Sequence, residues 1–350
     1  MSQDISIIKE AIEYLTAGKD LAESQSENVM EAIMEGQATP AQIAALLVSL
    51  RLKGETVEEI TGFVKVMRRK ATRINTKYPV VVDTCGTGGD GANTFNISTT
   101  AAFVVAGAGA PVAKHGNRSV SSKCGSADLL EALNVRIDLE PDQIESCLEE
   151  TGIAFLFAPS MHSAMKHVAG PRREIGIRTV FNVLGPLTNP AGAKAQVLGV
   201  YNRELTTKLG EVLARLGTDH SFVIHGAQGL DEISLSGPSY VCEINNGKIS
   251  EYTVDPEKYG LPRSPVKDLF GGSPFENAAH TLSILHGEHG SRRNAVLINA
   301  AFGLMASGLA KDLSEGLDLA TESISKGSAL KKLQHLIRFT NSAKEQVSSQ

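Results

Sequence analysis

Residues 80–107 read VVVDTCGTGGDGANTFNISTTAAFVVAG. The run from Val80 to Val82 is β-branched and predicts a buried strand, while the apolar stretch from Ile97 to Val105 predicts a helix. Between them lies a turn rich in glycine. A strand that enters a helix through such a turn is the unit from which α/β folds are built, so this stretch predicts an α/β fold.

The same order of strand, loop and helix recurs along the chain. Four later runs read as strands: PVAKHGN, IAFLFAP, AQVLGVYN and SFVIHG. Helical patterns follow at SADLLEALNV and ELTTKLGEVLARLG. Repeated strand-helix units predict a central, largely parallel sheet with helices on its faces. Residues 239–254 read instead as two strands around Asn245-Asn246-Gly247, and the chain returns to helix from Ala295.

The first seventy residues, before the pattern changes at Tyr78, read as four short helices. Apolar residues recur there at helical spacing, for example at Ile8 and Ile12. Thr39 and Thr56 each stand three residues before a Gln or Glu, which is a capping-box pattern. Helices this short cannot form a large core alone, so we expect them to pack on another domain or on a second subunit.

The composition is that of a folded globular protein. Hydrophobic residues make up 42% and charged residues 21% of the 350 residues, which argues against disordered and fibrous classes. Lys+Arg 34 against Asp+Glu 39 give a net charge of -5, the wrong sign for a broad nucleic-acid-binding face. The four cysteines are widely spaced, so neither a zinc site nor a disulfide framework is predicted. The chain shows no signal-like or membrane-length apolar run, so we expect no membrane contact and a cytoplasmic protein.

The glycine-rich turn has the pattern of a phosphate-binding loop. Gly86, Gly88 and Gly91 satisfy G-x-G-x-x-G between a strand and a helix, which makes a dinucleotide-binding dehydrogenase the first alternative. Such an enzyme needs an acidic residue about twenty positions further on to hold the ribose hydroxyls. No Asp or Glu occurs between Asp90 and Asp128, and this gap counts against NAD.

The gap contains hydrogen-bond donors and cations instead. They are Asn96, Ser98, Thr99, Lys114, His115, Asn117, Arg118, Ser121, Ser122 and Lys123. A donor-rich segment without carboxylates suits a multiply charged phosphate. The structural alternative is a tight turn with a solvated basic edge.

Two adjacent carboxylates, Asp231 and Glu232, follow the predicted strand SFVIHG and a short turn. Neighbouring strand residues point to opposite faces, so adjacent carboxylates can converge only in a loop or at a strand end. Magnesium prefers one or two carboxylates together with water and substrate phosphates, so the pair predicts a metal site opposite the donor-rich segment. Taken alone, such a pair is more often a solvated turn.

A third candidate site is basic. Arg172, Arg173 and Arg178 could meet a carboxylate with two parallel hydrogen bonds, although a basic helix surface would look the same. His115 suits a hydrogen-bond donor or orienting group better than a base. His162 and His167 have no spacing that suggests zinc.

Four strings together closely resemble the motifs of the anthranilate phosphoribosyltransferase family: DTCGTGGDGANTFNIST, AKHGNRSVSSKCGSADLLEALNV, RREIGIRTVFNVLGPLTNPA and HGAQGLDEIS. The resemblance covers nearly the whole chain. It implies a small helical N-terminal domain, residues 1–75 joined by part of 160–190. It also implies a large α/β domain, residues 76–350, with a central, largely parallel sheet. The family's homodimer contacts come mainly from the small domains.

The resemblance also assigns site residues, position by position. Those near phosphoribosyl pyrophosphate (PRPP) are Gly86, Thr87, Gly88, Gly89, Asp90, Thr94, Asn96, Ser98, Thr99, Lys114, Ser121 and Ser122. Those near anthranilate are Gly86, His115, Asn117, His162, Arg172, which addresses the carboxylate, and Gly185. The implied magnesium, about two ions per subunit, would be held by Ser98, Asp231 and Glu232. Ser163 and Cys124 depart from the family pattern, in which proline and serine are frequent there.

The implied reaction displaces pyrophosphate from ribose C1 of PRPP by the amine of anthranilate, a step of tryptophan biosynthesis. An aromatic amine is nearly unprotonated at neutral pH, so no catalytic acid/base dyad is expected. Two alternatives stay open. A pyrimidine nucleoside phosphorylase of similar fold would need no Asp231-Glu232 metal pair, and a non-catalytic nucleic-acid-binding paralogue would fit poorly with the net charge of -5.

Overall fold

A computed structural model describes residues 2–119 and 123–347. The strands are β1 Val82–Gly86, β2 Val112–Gly116, β3 Ile153–Phe157, β4 Ala195–Gly199, β5 His220–His225, β6 Ser239–Asn245 and β7 Lys248–Val254. The helices up to the middle of the chain are α1 Ser2–Thr16, α2 Glu23–Met34, α3 Pro40–Lys53, α4 Val57–Lys70, α5 Ile97–Gly107, α6 Ser126–Ala132, α7 Pro141–Thr151 and α8 Ala158–Met161. The later helices are α9 Lys166–Ile175, α10 Phe181–Leu184, α11 Glu204–Arg215, α12 Pro274–Leu285, α13 Ser291–Ala306, α14 Leu313–Ser325 and α15 Ser328–Val347.

The strands form one seven-stranded sheet in the order β3-β2-β1-β4-β5-β6-β7. Strands β1 to β5 are parallel, and β6 and β7 add an antiparallel hairpin at one edge. The hairpin turns at Asn246 and Gly247, whose φ angles of 49° and 79° are those that a two-residue hairpin turn requires. The predicted helical domain, parallel sheet and two-stranded excursion are thus confirmed.

Two predicted boundaries were wrong. Strand β1 begins at Val82, not at Val80, because Val82 is the first residue of the run to pair with both β2 and β4. Its polar residues Asp83 and Thr84 are buried inside the sheet, which a search for β-branched residues does not anticipate. The final helical region begins at Pro274, where Ser273 caps α12, and not at Ala295.

The capping residues predicted for the helical start of the chain have the expected role. The Thr39 side chain accepts a hydrogen bond from the Gln42 amide at 3.3 Å, and the Gln42 side chain accepts one from the Thr39 amide at 2.9 Å. The Thr56 side chain likewise accepts from the Glu59 amide at 3.2 Å. These reciprocal bonds satisfy amides at the helix starts, which fixes where α3 and α4 begin.

The N-terminal helices share their hydrophobic core with one face of the sheet. Buried residues of α3 and α4, such as Leu46 and Phe63, belong to the same cluster as Leu198 of β4 and Val223 of β5. Polar contacts follow the same junction: Lys208 of α11 donates to the Glu55 carbonyl at 2.7 Å. Of the two expected partners for the short helices, another domain or a second subunit, the structure shows packing on the α/β part of the same chain.

The other face of the sheet is covered by a separate and larger core. Helices α5 and α13 pack there, with Phe103 and Phe302 fully buried among the strand residues. Within residues 2–119 and 123–347, none of the helices combines the length and apolar character needed to cross a bilayer.

The strand order places a crevice between β1 and β4. Chain connections run outward from these two strands in opposite directions, β1 toward β2 and β4 toward β5. In open α/β sheets, ligands bind at the carboxyl ends of the strands where the order reverses in this way. The glycine-rich loop after β1 and the loop after β5 that carries Asp231 both lie at this edge.

Candidate active site

The glycine-rich loop begins at the last residue of β1 and turns through conformations that favour glycine. Gly88, Gly89 and Gly91 have φ angles of 65°, 74° and 75°. Thr87 fixes the loop to β4, because its amide donates to the Gly199 carbonyl at 2.9 Å. Asp90 closes the turn by accepting from the Ala92 amide at 3.0 Å.

Asp231 lies so close to the ends of β1 and β4 that only glycine fits beneath it. A Cβ atom on Gly86 would stand 2.4 Å from the Asp231 Oδ2 atom. A Cβ atom on Gly199 would stand 1.6 Å from the Asp231 carbonyl oxygen. Both glycines are therefore needed for the close approach of the Asp231 loop to the sheet.

The two neighbouring carboxylates converge on the glycine-rich loop and on the start of α5. Asp231 Oδ2 accepts a hydrogen bond from the Gly88 amide at 2.8 Å, and Glu232 Oε1 accepts one from the Ser98 amide at 3.1 Å. The sequence-based expectation that this pair faces the donor-rich segment therefore agrees with its position in the structure.

The electrostatic environment of Asp231 and Glu232 favours the binding of a cation. Burial, with a smaller contribution from Asp90, raises the pKa of Asp231 to about 7. Burial and then the charge of Asp231 raise the pKa of Glu232 to about 8. In the described part of the chain, no group of three or more His, Cys, Asp and Glu side chains surrounds a common point. Two carboxylates that need further oxygen ligands suit magnesium bound to a phosphorylated substrate.

Lys114 lies inside the sheet near these acids, with 4% of its surface exposed. Its ammonium group donates to the Thr84 carbonyl. Burial lowers the pKa of Lys114, and the negative charges of Asp83 and Glu232 oppose that shift. Lys114 therefore supplies positive charge between a carboxylate of the sheet and one of the candidate metal ligands.

The start of α5 has polar atoms that the protein leaves unsatisfied. Asn96 is held by Asn277, whose side-chain oxygen accepts from the Asn96 amide at 3.1 Å, while Thr94 pairs with Phe270. Asn96 Oδ1 and Asp90 Oδ2 are buried without a hydrogen-bond partner among the described residues. Buried polar atoms without partners cost free energy, so these two atoms indicate where a ligand would bind. Thr99 is buried in the first turn of α5.

Two buried imidazoles meet on the side of the sheet that faces the helical domain. The rings of His115 and His162 lie 5.2 Å apart between centroids, and neither Nε2 atom has a hydrogen-bond partner among the described residues. Burial lowers the pKa of His115 to about 3 and that of His162 to about 4, so both rings are neutral near pH 7. The backbone of Gly185 lies near enough to His115 to oppose this lowering of its pKa, which brings the predicted Gly185 to the same place.

The three arginines that could recognise a carboxylate do not act together. Arg172 is partly buried with its guanidinium 5.3 Å from the centroid of the Phe181 ring, whereas Arg173 is exposed. Consecutive residues on a helix point about 100° apart, so both cannot face one ligand. Arg178 instead donates to the Gly89 carbonyl and stacks 4.2 Å over the Tyr201 ring, so it braces the glycine-rich loop.

Other residues that the sequence analysis grouped together are also not all brought together by the structure. Arg118 forms ion pairs with Asp128 and Glu131, so it does not belong with Lys114 in a phosphate-binding group. The Asn117 amide donates to the Ser126 side chain at 3.1 Å, which ties the end of β2 to α6. Ser121 and Ser122, predicted near PRPP, lie outside the described residues.

Polar residues inside the strands were missed by the sequence analysis. Asp83 of β1 and Gln196 of β4 are buried side by side beneath the site. A charged or amide side chain within an otherwise apolar strand is the signal that could have identified them, because such a group must find a partner.

Comparison with known proteins agrees with this architecture. The glycosyl transferase family, helical bundle domain, matches residues 9–71, and the glycosyl transferase family, a/b domain, matches residues 78–330. Anthranilate phosphoribosyltransferase from Pelotomaculum thermopropionicum is 62% identical over 95% of this chain and 97% of its own length. The enzyme of the same name from Moorella thermoacetica is 56% identical over 96% of this chain and 99% of its own.

Solved structures give the same result. Anthranilate phosphoribosyltransferase from Thermus thermophilus superposes with a TM-score of 0.90 at 44% identity, covering 95% of this chain and 99% of that one. The enzyme from Saccharomyces cerevisiae in complex with PRPP and Mg has a TM-score of 0.87 at 28% identity, covering 96% and 98%. The fold and site thus define a two-domain glycosyl transferase. The chain belongs to the anthranilate phosphoribosyltransferase family.

The buried histidine pair predicts how stability depends on pH. Both folded-state pKa values, about 3 and about 4, lie below the ordinary histidine pKa of 6.5. As the pH falls below about 6.5 the unfolded chain takes up protons first, so this part of the stability is complete above that pH and is lost towards pH 4. The melting temperature of a His115→Gln/His162→Gln variant should therefore fall less steeply between pH 7 and pH 4.5 than that of the wild type.

The matched control is His289→Gln, because His289 is exposed. This variant should keep the wild-type slope of melting temperature against pH. Equal slopes for the double variant and the wild type would contradict the buried, neutral state of the pair.

Proposed function

We propose that the protein transfers the phosphoribosyl group of PRPP to the amine of anthranilate, forming N-(5-phosphoribosyl)anthranilate and pyrophosphate in tryptophan biosynthesis. The observation that carries the proposal is the convergence of Asp231 and Glu232 on the Gly88 and Ser98 amides. In this proposal the two carboxylates would bind the metal and the glycine-rich loop would bind phosphate, an arrangement that suits a pyrophosphate leaving group.

The donor would bind at the edge of the sheet between β1 and β4. In this proposal the loop amides from Gly86 to Asp90 hold the phosphates, together with Thr94, Asn96, Ser98, Thr99 and Lys114. The unsatisfied Asn96 Oδ1 and Asp90 Oδ2 atoms support it, because PRPP has hydroxyl groups that could donate to them. The yeast relative, described above as a complex with PRPP and Mg, binds the same ligands.

Magnesium would be held by Asp231, Glu232 and Ser98, with PRPP oxygens completing its coordination. When bound, the metal neutralises negative charge that develops on the departing pyrophosphate. The raised pKa values of Asp231 and Glu232 support this role, since they arise from burial and then from neighbouring carboxylates, and a nearby cation would stabilise both charged forms. We propose about two ions per subunit, the number that the family resemblance implies.

Anthranilate would bind on the side of the helical domain, near Gly86, His115, Asn117, His162, Arg172 and Gly185. The yeast relative in complex with 4-fluoroanthranilate, 28% identical with a TM-score of 0.87, supports an aromatic amine as the acceptor. The Arg172 guanidinium, partly buried beside Phe181, would meet the carboxylate of anthranilate.

The reaction needs alignment and charge stabilisation rather than a strong base. The anthranilate nitrogen attacks ribose C1 as the bond from C1 to pyrophosphate breaks, and the nitrogen then loses a proton to solvent or to pyrophosphate. Lys114 and the loop amides stabilise the leaving group, while neutral His115 and His162 can accept or donate hydrogen bonds without adding charge.

The test is direct. Protein, magnesium, PRPP and anthranilate are mixed, and the loss of anthranilate fluorescence is followed with time. The proposed function predicts loss that requires both substrates and releases one pyrophosphate per anthranilate consumed. An unchanged fluorescence signal with folded protein would show that the function is wrong.

Activity should depend on a divalent cation bound through the carboxylate pair. Asp231→Asn and Glu232→Gln should each lower kcat about a hundredfold or more, because metal stabilisation of the transition state is worth several kcal/mol. Asp219→Asn, at a half-exposed acid before β5, is the control and should leave kcat unchanged. Near-normal turnover of a double variant in EDTA would exclude the metal role.

Arg172 should select the acceptor. A charge-assisted hydrogen bond is worth roughly 1.5 to 3 kcal/mol, so Arg172→Ala should raise the KM for anthranilate about ten- to a hundredfold with little change for PRPP. Arg172→Lys should recover part of the loss, because Lys keeps the charge without the planar fork. The exposed neighbour provides a control, Arg173→Ala, that should behave as wild type.

Aniline, which lacks the carboxylate, separates this role from a structural one. The preference for anthranilate over aniline should shrink in Arg172→Ala. An equal rise in both KM values, with an unchanged preference, would instead mean that Arg172 only braces the junction between the domains.

The domain division and subunit arrangement are further parts of the proposal. We assign residues 1–75 and part of 160–190 to the helical domain, supported by the packing of α9 against α3 and of Phe181 in the shared core. A homodimer through the first four helices agrees with the exposed Leu52 at the end of α3. Light scattering would contradict it by giving a monomer mass at micromolar concentrations. A cytoplasmic location stays a prediction.

A further inference from the structure

Asp83 is a carboxylate that is fully enclosed by the protein. It is the second residue of β1 and has 0% of its surface exposed. Burial raises its pKa, and the nearby positive charge of Lys114 opposes that shift. Replacing a buried ion pair by apolar residues is often neutral or stabilising, so stability alone does not explain why a charge is placed here.

The carboxylate of Asp83 joins three segments of the chain. Asp83 Oδ1 accepts from the backbone amide of His115 in β2 at 3.1 Å. Asp83 Oδ2 accepts from the Gln196 side chain of β4 at 3.4 Å. The side chain of Asn189, from the segment that follows α10, is a further polar neighbour that favours the charged form of Asp83 and so lowers its pKa against the effect of burial.

The polar neighbours of Asp83 also form hydrogen bonds to other parts of the chain. Gln196 also donates to the Pro186 carbonyl at 2.7 Å, and Asn189 also donates to the Ala113 carbonyl of β2 at 2.8 Å. Residues 186–190 are thus attached to the sheet by side-chain amides. We call Asp83, Gln196 and Asn189 together the buried amide-carboxylate network.

The network lies beneath groups assigned to both substrates. Residue 115 of β2 follows Lys114, which is assigned to the donor, and carries the His115 ring, which is assigned to the acceptor. Residues 186–190 follow Gly185, whose backbone lies beside that ring and influences its pKa. The same segment contacts the helical domain, because Arg68 of α4 donates to the Leu187 carbonyl at 2.8 Å.

We propose that Asp83 is a positioning residue, which holds β2 and residues 186–190 in one fixed relation and so aligns the acceptor with the donor. This inference rests on the proposed function. Asp83 touches neither substrate in this account and acts only through the backbone of His115 and through Gln196 and Asn189. Loss of its charge should disturb the alignment of two bound substrates more than the binding of either one.

Asp83→Asn tests the proposal with almost no change of volume. Its amide group would face the donors of Gln196 and Asn189, and the charge beside Lys114 would be removed. Because a misplacement of about 1 Å can cost a hundredfold in rate, kcat should fall roughly ten- to a hundredfold, with each KM within about threefold of wild type. An unchanged kcat would overturn the proposal.

Gln196→Met is the second variant, in case Asp83→Asn does not fold. Methionine keeps a similar volume but removes the link between Asp83 and the Pro186 carbonyl. It should lower kcat by less than Asp83→Asn does, again without a matching rise in KM. Wild-type turnover of Gln196→Met would contradict the network's role.

Ser221→Ala is the matched control for lost stability. Ser221 is a fully buried polar residue of β5 that pairs with Thr218, far along the sheet from β2. It should lower the melting temperature without lowering kcat. An equal loss of kcat in Ser221→Ala would mean that Asp83 acts only through stability.

Hydrogen exchange separates this inference from the proposed function. In Asp83→Asn, amides of residues 112–116 and 186–190 should exchange faster than in wild type, while those of β5 should not change. If wild-type protein consumed no anthranilate, the proposed function would fail and the positioning role would fail with it. If wild-type protein were active but exchange in both segments were unaltered, the positioning role alone would fail.

Discussion

The close approach of the Asp231 loop to the ends of β1 and β4 is the constraint on which the site depends. Gly86 and Gly199 leave no side chain in that space, and a Cβ atom at either position would overlap Asp231. The approach lets the Gly88 amide reach a carboxylate that is distant in sequence. The glycine-rich loop and the acidic pair are thereby brought together at one edge of the sheet.

Buried groups of opposite charge lie close together around the Asp231 loop. Burial, followed by neighbouring carboxylates, raises the pKa of Asp231 and of Glu232, while burial lowers the pKa of Lys114. Each of these charged groups is buried, and a buried charge without a partner costs free energy. In the proposed function, a bound cation and an anionic substrate would balance these charges, as a metal-assisted transfer of a phosphoribosyl group requires.

The two hydrophobic cores of the molecule support opposite faces of the sheet that carries the site. The larger core, around α5 and α13, supports the face of the sheet behind the donor side. The smaller one joins the N-terminal helices to β4, β5 and α11, and it includes Val183 and Leu184 next to Gly185. The residues proposed to bind the acceptor therefore lie near the junction between the N-terminal helices and the sheet, and Asp83 and Gln196 are buried in neighbouring strands of that sheet.

Local pattern was enough to predict the capped helices at Thr39 and Thr56, the strand-helix units, the hairpin at Asn246-Gly247 and the candidate pair Asp231-Glu232. These features depend on periodicity and turn chemistry within a few residues, which the sequence displays directly. The packing of the short helices was predicted only as a choice between another domain and a second subunit.

The tertiary structure alone decided which polar groups meet. Arg178 binds the Gly89 carbonyl and Arg118 pairs with Asp128 and Glu131, although both had been grouped by composition with ligand-binding cations. Asp83 meets His115 and Gln196 because β1 lies between β2 and β4. Strand order and the burial that follows from it are set by packing over the whole chain, so no local pattern carries that information.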